Sequence, residues 1–141
     1  MARLVTFLRD VSANMAVEFA LVAPIMVTLI MAVADFGVVA RDKAELQAAA
    51  RAGLQAVLLD ADDLAGAITA AETVAPEASI SAEESCYCAD GTTVACGDSC
   101  ASGSRRRRVT VTASRDLTLL FPWPGVEDPF PAQGVAEARV E

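Results

Sequence analysis

The stretch "NMAVEFALVAPIMVTLIMAVADFG", residues 14–37, decides the fold because it is long and apolar enough to enter a bilayer. Between residues 11 and 34 the only ionisable side chain is Glu18. A helix over that span is about 36 Å long, compared with about 30 Å for the hydrocarbon core of a bilayer. The uncharged part, residues 19–34, has only 16 residues, so Glu18 is predicted to lie in the membrane or at its edge. Asp35 is expected at the outer headgroups, where it ends the span.

The flanking charges predict the orientation of this segment. Arg3 and Arg9 precede it and are opposed only by Asp10, so the positive-inside rule keeps the N-terminus in the cytoplasm. The C-terminal part is then outside the cytoplasm. A cleaved secretory signal is the alternative, which we consider weaker because the apolar run is longer than a usual signal core and contains Pro24.

Composition argues against several classes of function. The chain has 141 residues and a net charge of −8, which disfavours nucleic acid as the main partner. It has no His, so the usual general base near neutral pH is lacking. No nucleophile–base pair, glycine-rich phosphate loop or metal-ligand cluster stands out. We therefore predict no enzymatic activity, no cofactor, no metal site, no small-molecule substrate and no nucleic-acid partner.

The segment "VEFAL" at residues 17–21, followed by "VAP" at residues 22–24 and preceded by a short basic leader, resembles the N-terminus of type IV prepilins. It is most similar to the TadE-like pseudopilins, which are minor pilins of tight-adherence (Tad, or Flp) pilus systems. The resemblance continues with "DFG" at residues 35–37 and "AAARAG" at residues 48–53. It covers residues 9–59.

This resemblance implies a structural protein of the bacterial inner membrane. The N-terminus would be cytoplasmic and the C-terminal domain periplasmic, with a surface pilus as a further destination. The implied partners are a prepilin peptidase, the membrane itself, and other pilins or pseudopilins that pack against the N-terminal helix during pilus assembly. The alternative is an uncleaved single-pass anchor that displays an envelope-binding domain.

The resemblance also implies a processing site. Prepilin peptidases leave the acid as the fifth residue of the mature chain, so counting back from Glu18 predicts cleavage between Ala13 and Asn14. The family usually has Gly before the cut, and Ala13 is the nearest substitute in size. Glu18, with Phe19 beside it, would then set the helix register by pairing with a new α-amino group. The alternative is that Glu18 only reaches the cytoplasmic headgroups.

The rest of the chain predicts an α+β fold with a long N-terminal transmembrane, pilin-like helix, a short second helix and a small antiparallel sheet braced by disulfides. The first helix continues to about Leu59, since residues 41–59 lack Pro and repeat apolar residues at spacings of three and four. The second covers residues 62–74, with Asp60 and Asp62 as N-cap candidates and Pro76 as its stop.

Alternating or β-branched residues after Pro76 indicate three or four strands. The predicted organisation has four parts. They are a basic leader (1–13), a transmembrane helix (14–40), the helical continuation with the second helix (41–75) and a β domain (76–141).

Four cysteines, Cys86, Cys88, Cys96 and Cys100, lie in the β domain. The C-x-C spacing and the oxidising compartment favour two structural disulfides over zinc or a redox pair. Cys86 and Cys88 share one face of a strand and cannot bond each other. Of the pairings left, the nested one, 88–96 with 86–100, fits a hairpin better than the crossed one, 86–96 with 88–100. Asp90-Gly91 is a suitable turn pair.

Two further segments have two interpretations each. Arg105 to Arg108 precede a strand, so their side chains should alternate between its faces and balance acids such as Glu84, or else dock on anionic headgroups or an acidic partner. The segment "LFPWPGVEDPFP", residues 120–131, cannot be a central strand. Its Trp123 either covers the sheet locally or presents an aromatic anchor to a partner.

Overall fold

The computed structural model describes residues 11–101 and 103–140, with side chains from Met15 onwards. These described residues form two helices, α1 (Val11–Leu59) and α2 (Leu64–Val74), and four strands, β1 (Ser79–Cys88), β2 (Thr93–Val94), β3 (Arg105–Leu117) and β4 (Phe130–Val140). The chain divides into two compact units, Met1–Val38 and Val39–Glu141. The predicted α+β fold, with its long first helix, short second helix and disulfide-braced sheet, is confirmed.

Both helices end where the sequence predicts. α1 ends at Leu59, and α2 ends at Val74, two residues before Pro76. The N-cap of α2 was predicted wrongly, because neither Asp60 nor Asp62 caps it. Asp63 does so instead: its Oδ1 accepts the backbone N–H of Gly66 at 2.7 Å.

The strands form one antiparallel sheet in the order β2-β1-β3-β4. β4 begins inside the proline-rich segment, and Pro131 pairs with Asp116 of β3. Because β4 is an edge strand, a proline whose missing N–H faces away from the sheet costs no ladder hydrogen bond.

One face of the sheet packs against α2 and residues 39–59 of α1, and the buried side chains there are mostly small. The buried apolar core residues of this unit include Leu46, Ala49, Ala50, Val57, Ala67, Ala71, Val109, Val111 and Ala113. The approach is closest at Gly134 of β4, where an added Cβ would lie 2.4 Å from the backbone N of Gln47. The α1 backbone therefore lies directly on the sheet at this point.

A half-buried cation joins β3 to α1. The guanidinium of Arg115 lies 3.3 Å from a carboxylate oxygen of Asp42 and 3.3 Å from one of Glu45. Its side chain is only 16% exposed, so these ion pairs are better shielded from water than ordinary surface pairs.

The disulfides join Cys86 to Cys96 and Cys88 to Cys100, with Cα separations of 5.1 and 5.7 Å. The predicted nested pairing is therefore wrong, although both β1 cysteines do bond outward. The turn is tighter than the nested pairing requires: Gly91 has a φ of +88°, and the N–H of Cys88 donates to the carbonyl of Thr92 at 2.8 Å. Cys88 is thus too near the turn for Cys96, which instead reaches Cys86 from beyond the end of β2.

A matched pair of double variants tests this connectivity. C86A/C96A removes one native bridge and keeps Cys88–Cys100, whereas C88A/C96A leaves two cysteines from different bridges. We expect the first variant to have no free thiols and to lose about 3 kcal/mol of unfolding free energy, as the chain-entropy model gives for one short loop. The second should show two reactive thiols and a larger loss, measured by thiol titration and urea denaturation. Two free thiols in C86A/C96A and none in C88A/C96A would instead indicate the nested pairing.

Candidate functional site

The first half of α1 exposes apolar side chains on every face of the helix. Consecutive positions are exposed at Ile25, Met26 and Val27, and again at Leu29, Ile30 and Met31, with exposed fractions between 43% and 65%. Successive residues of an α-helix point about 100° apart, so three in a row leave no polar side. A helix that is apolar all round belongs in a protein core or in a membrane.

Glu18 and Phe19 lie near the start of this apolar surface. Phe19 is 74% exposed and Glu18 is exposed beside it. The side chains of Ala13 and Asn14 lie outside the described residues, as does most of the predicted leader, so the cleavage site stays a prediction. The acid that the sequence singled out is therefore accessible to a partner at one end of an apolar helix.

Pro24 does not interrupt α1, which runs continuously through it. One turn later, the hydroxyl of Thr28 donates to the carbonyl of Pro24 at 3.1 Å and to that of Ile25 at 2.8 Å. The one hydroxyl in residues 15–34 thus has partners on its own helix, which is the arrangement that an apolar solvent requires.

Asp35 is 3% exposed. Protein atoms cover this carboxylate, and its expected position at the outer headgroups stays a prediction. The described part of α1 from Met15 to Leu59 is nevertheless long and apolar enough to cross a membrane, and its most apolar window is 0% buried.

Comparison with known families shows what this segment is similar to. Residues 14–55 match the TadE-like protein family. The match begins at Asn14, the first residue of the predicted mature chain, and includes Glu18, Phe19 and Pro24. It confirms the resemblance drawn from "VEFALVAP" and covers less than a third of the chain. No curated protein and no solved structure is significantly similar to the chain.

Beyond the TadE-like segment, the arginine run divides between the two faces of β3. Arg105 and Arg107 lie on the helix-facing side with Val109, and Arg106 and Arg108 lie on the other. The guanidinium of Arg107 contacts a carboxylate oxygen of Asp62 and another of Glu84, each at 2.7 Å. These contacts, led by the hydrogen bond to Asp62, raise the pKa of Arg107.

Arg107 lines a cleft of about 510 Å³ beside the Cys86–Cys96 disulfide. Arg105, also in this cleft, donates to the carbonyls of Cys96 and Asp98. Both cations are thus engaged within the protein, which supports the interpretation that the run balances nearby acids. Among the described residues, no group of His, Cys, Asp or Glu is placed to hold a metal ion.

The hairpin tip and the proline-rich segment are locally ordered. Asp90 accepts the hydroxyl and the backbone N–H of Thr92 at 2.7 and 3.0 Å, and these hydrogen bonds lower the pKa of Asp90. Trp123 is half-buried and packs edge-on against Phe121, with ring centroids 4.9 Å apart. This contact favours local packing for Trp123.

Several contacts within residues 39–141 were not predicted from the sequence. The contacts of Arg115 with Asp42, and of Arg107 with Asp62, join positions 73 and 45 residues apart. Charge pattern alone does not reveal such pairs. Gly134 sat in an alternating segment, where an isolated glycine is the usual sign of close backbone approach.

Proposed function

We propose that this chain is a minor pilin-like assembly protein of a Tad pilus system, with no catalytic role of its own. The observation that carries the proposal is a helix whose first half exposes apolar side chains all round and carries Glu18 near its start, within the residues that match the TadE-like family. Residues 14–40 would anchor the protein in the bacterial inner membrane. Residues 41–75 and the β domain, 76–141, would lie in the periplasm.

Processing follows from the position of Glu18. In this proposal a prepilin peptidase removes the leader, residues 1–13, and leaves an α-amino group on Asn14. Asn14 and Glu18 are four residues apart on α1, so they are neighbours on the helix surface. A carboxylate near a helix N-terminus is also favoured by the helix dipole.

The same carboxylate provides register between subunits. An exposed Glu18 in an apolar surface is costly to leave in lipid, and it becomes favourable when a cation within hydrogen-bond reach compensates it. The amine of a neighbouring pilin or pseudopilin supplies that cation only when the two helices are aligned. The apolar faces around Glu18 then pack helix against helix.

Intact-mass measurement of the protein purified from membranes tests the processing step. We expect a chain that starts at Asn14, because the position of Glu18 defines the cut. A variant with Arg at position 13 should keep its leader, since a small residue is required there, whereas Ala13→Gly should be cut at least as well as the parent. A parent chain that keeps residues 1–13 would instead support an uncleaved anchor that displays an envelope-binding domain.

A further inference from the structure

β4 lies at one edge of the sheet, and among residues 11–101 and 103–140 no strand pairs with its outer side. In antiparallel pairing, alternate residues turn their backbone groups toward opposite neighbours. Cys88 donates its N–H to Thr92, so the even-numbered residues of β1 face β2 and the odd-numbered ones face β3. The odd-numbered residues of β1 pair with even-numbered residues of β3, so the even-numbered residues of β3 face β1 and the odd-numbered ones face β4. Those odd-numbered residues pair with even-numbered residues of β4, which leaves the odd-numbered residues of β4 facing the open edge.

In the first half of this edge, some backbone groups are unavailable to a further strand. Pro131 has no N–H to offer, and the side-chain amide of Gln47 donates to the carbonyl of Val135 at 2.8 Å. That hydrogen bond independently places the backbone of Val135 on the outer edge. Farther along, Glu137 and Arg139 have exposed side chains and outward-facing backbone groups.

Among the described residues, the charges at this end of β4 are not all paired. Arg139 is paired in the ladder directly with Arg108, and like charges in that relation destabilise a sheet. Arg108 has compensation, because Glu137 lies 3.6 Å from it and the ring of Tyr87 lies 5.2 Å from its guanidinium carbon. Arg139 forms no ion pair with any residue from 15 to 101 or from 103 to 140.

We propose that two copies of this chain join their β4 strands antiparallel about a two-fold axis at Ala138. In this register Glu137 of each copy lies opposite Arg139 of the other, so the contact contains two opposite-charge pairs related by symmetry. Both residues have outward backbone groups, and each pair can exchange two N–H···O hydrogen bonds. The small side chain of Ala138 meets its own copy on the axis.

This contact is short, and anchoring of both copies in one membrane would strengthen it by raising their effective concentration. That strengthening rests on the proposed function, whereas the strand pairing itself does not. The two are separable, since the pairing can be measured on a chain whose processing and pilus activity are lost.

Disulfide trapping in the full-length protein, in detergent micelles, tests the register. The four native cysteines are all bridged, so an added thiol is the single reactive one. Ala138→Cys places two thiols on residues whose Cα atoms are about 4.5 Å apart. Gln133→Cys is the matched control, on the same edge but about 34 Å from its copy in this register. We expect about tenfold more oxidised dimer from Ala138→Cys, and equal yields would overturn the proposal.

Charge reversal in the Ala138→Cys protein tests the pairing. Glu137→Arg or Arg139→Glu alone should lower the dimer yield about tenfold, because each makes both cross-strand pairs like-charged. The double variant E137R/R139E restores opposite charges and should recover the parent yield. Unchanged yields in the single variants, or no recovery in the double variant, would contradict the proposal. The comparison of Ala138→Cys with Gln133→Cys stands even if a reversal impairs folding.

Discussion

A Glu18→Leu variant is expected to accumulate in the membrane with its β-sheet unit folded, in cells that make no surface pili. Glu18 is exposed in an apolar helix and distant in sequence from the core of residues 39–141, so leucine removes no packing from that core. It removes the carboxylate that we propose to pair with a terminal amine. Complementation of a deletion strain, with pili counted by electron microscopy, measures the effect.

Two conservative variants separate charge from size at this position. Glu18→Asp keeps the carboxylate on a shorter side chain and should retain some pili, whereas Glu18→Gln keeps the size, removes the charge and should behave like Glu18→Leu. Thermal unfolding, followed by the fluorescence of Trp123, is the control for folding and should be the same in all three. Normal pilus numbers in the Gln variant would show that the charge is not needed.

Gly134→Val is expected to lower the unfolding free energy by about 3 kcal/mol, among the largest effects of any single substitution here. The new Cβ would lie 2.4 Å from both the N of Gln47 and the carbonyl carbon of Leu46. Both are backbone atoms of α1 and cannot rotate away, so the helix must move off the sheet. Urea denaturation of the full-length protein in detergent measures the loss.

Gly97→Val is the matched control for this prediction. A Cβ at Gly97 meets nothing within 4 Å, and its backbone does not have a positive φ. We expect a change of less than about 0.5 kcal/mol, as for ordinary surface positions. Equal losses in the two variants would show that α1 does not lie against β4 at Gly134.

The helices were predictable because their signals are local. The run of helix formers up to Leu59, and Pro76 after α2, both act within a few residues, and the structure confirms the ends they imply. The N-cap was missed by one residue because Asp60, Asp62 and Asp63 all have suitable side chains. Only the hydrogen bond to Gly66 distinguishes them.

The disulfide pairing was not predictable with the same security because it depends on register. Nested and crossed pairings differ by where the turn lies, and a turn centred on Asp90-Gly91 places Cys88 opposite Thr92 instead of Cys96. A shift of two residues in a strand changes every cross-strand neighbour. The sequence contained the turn signal, but not its consequence for the second cysteine pair.

Some features of the candidate site could also be predicted from the sequence, and others could not. The apolar segment and Glu18 were visible in the sequence, since membrane partitioning depends on composition over a short window. The burial of Asp35 was not, because the run of residues around it gives no sign of it. The pairing of Arg139 with Arg108 at the edge of β4 was not predictable either, because it depends on the register between β3 and β4.

Zero-length cross-linking in isolated membranes tests whether the Glu18 carboxylate pairs with the α-amino group of a processed chain. A carbodiimide joins a carboxylate to an amine only when the two are in contact, and peptide mass spectrometry then identifies both residues. We expect an amide between the Glu18 carboxylate and the α-amino group of Asn14, on the same chain or a neighbouring one. A Glu18 carboxylate that reacts only with added amines, on chains that still begin before Asn14, would contradict it.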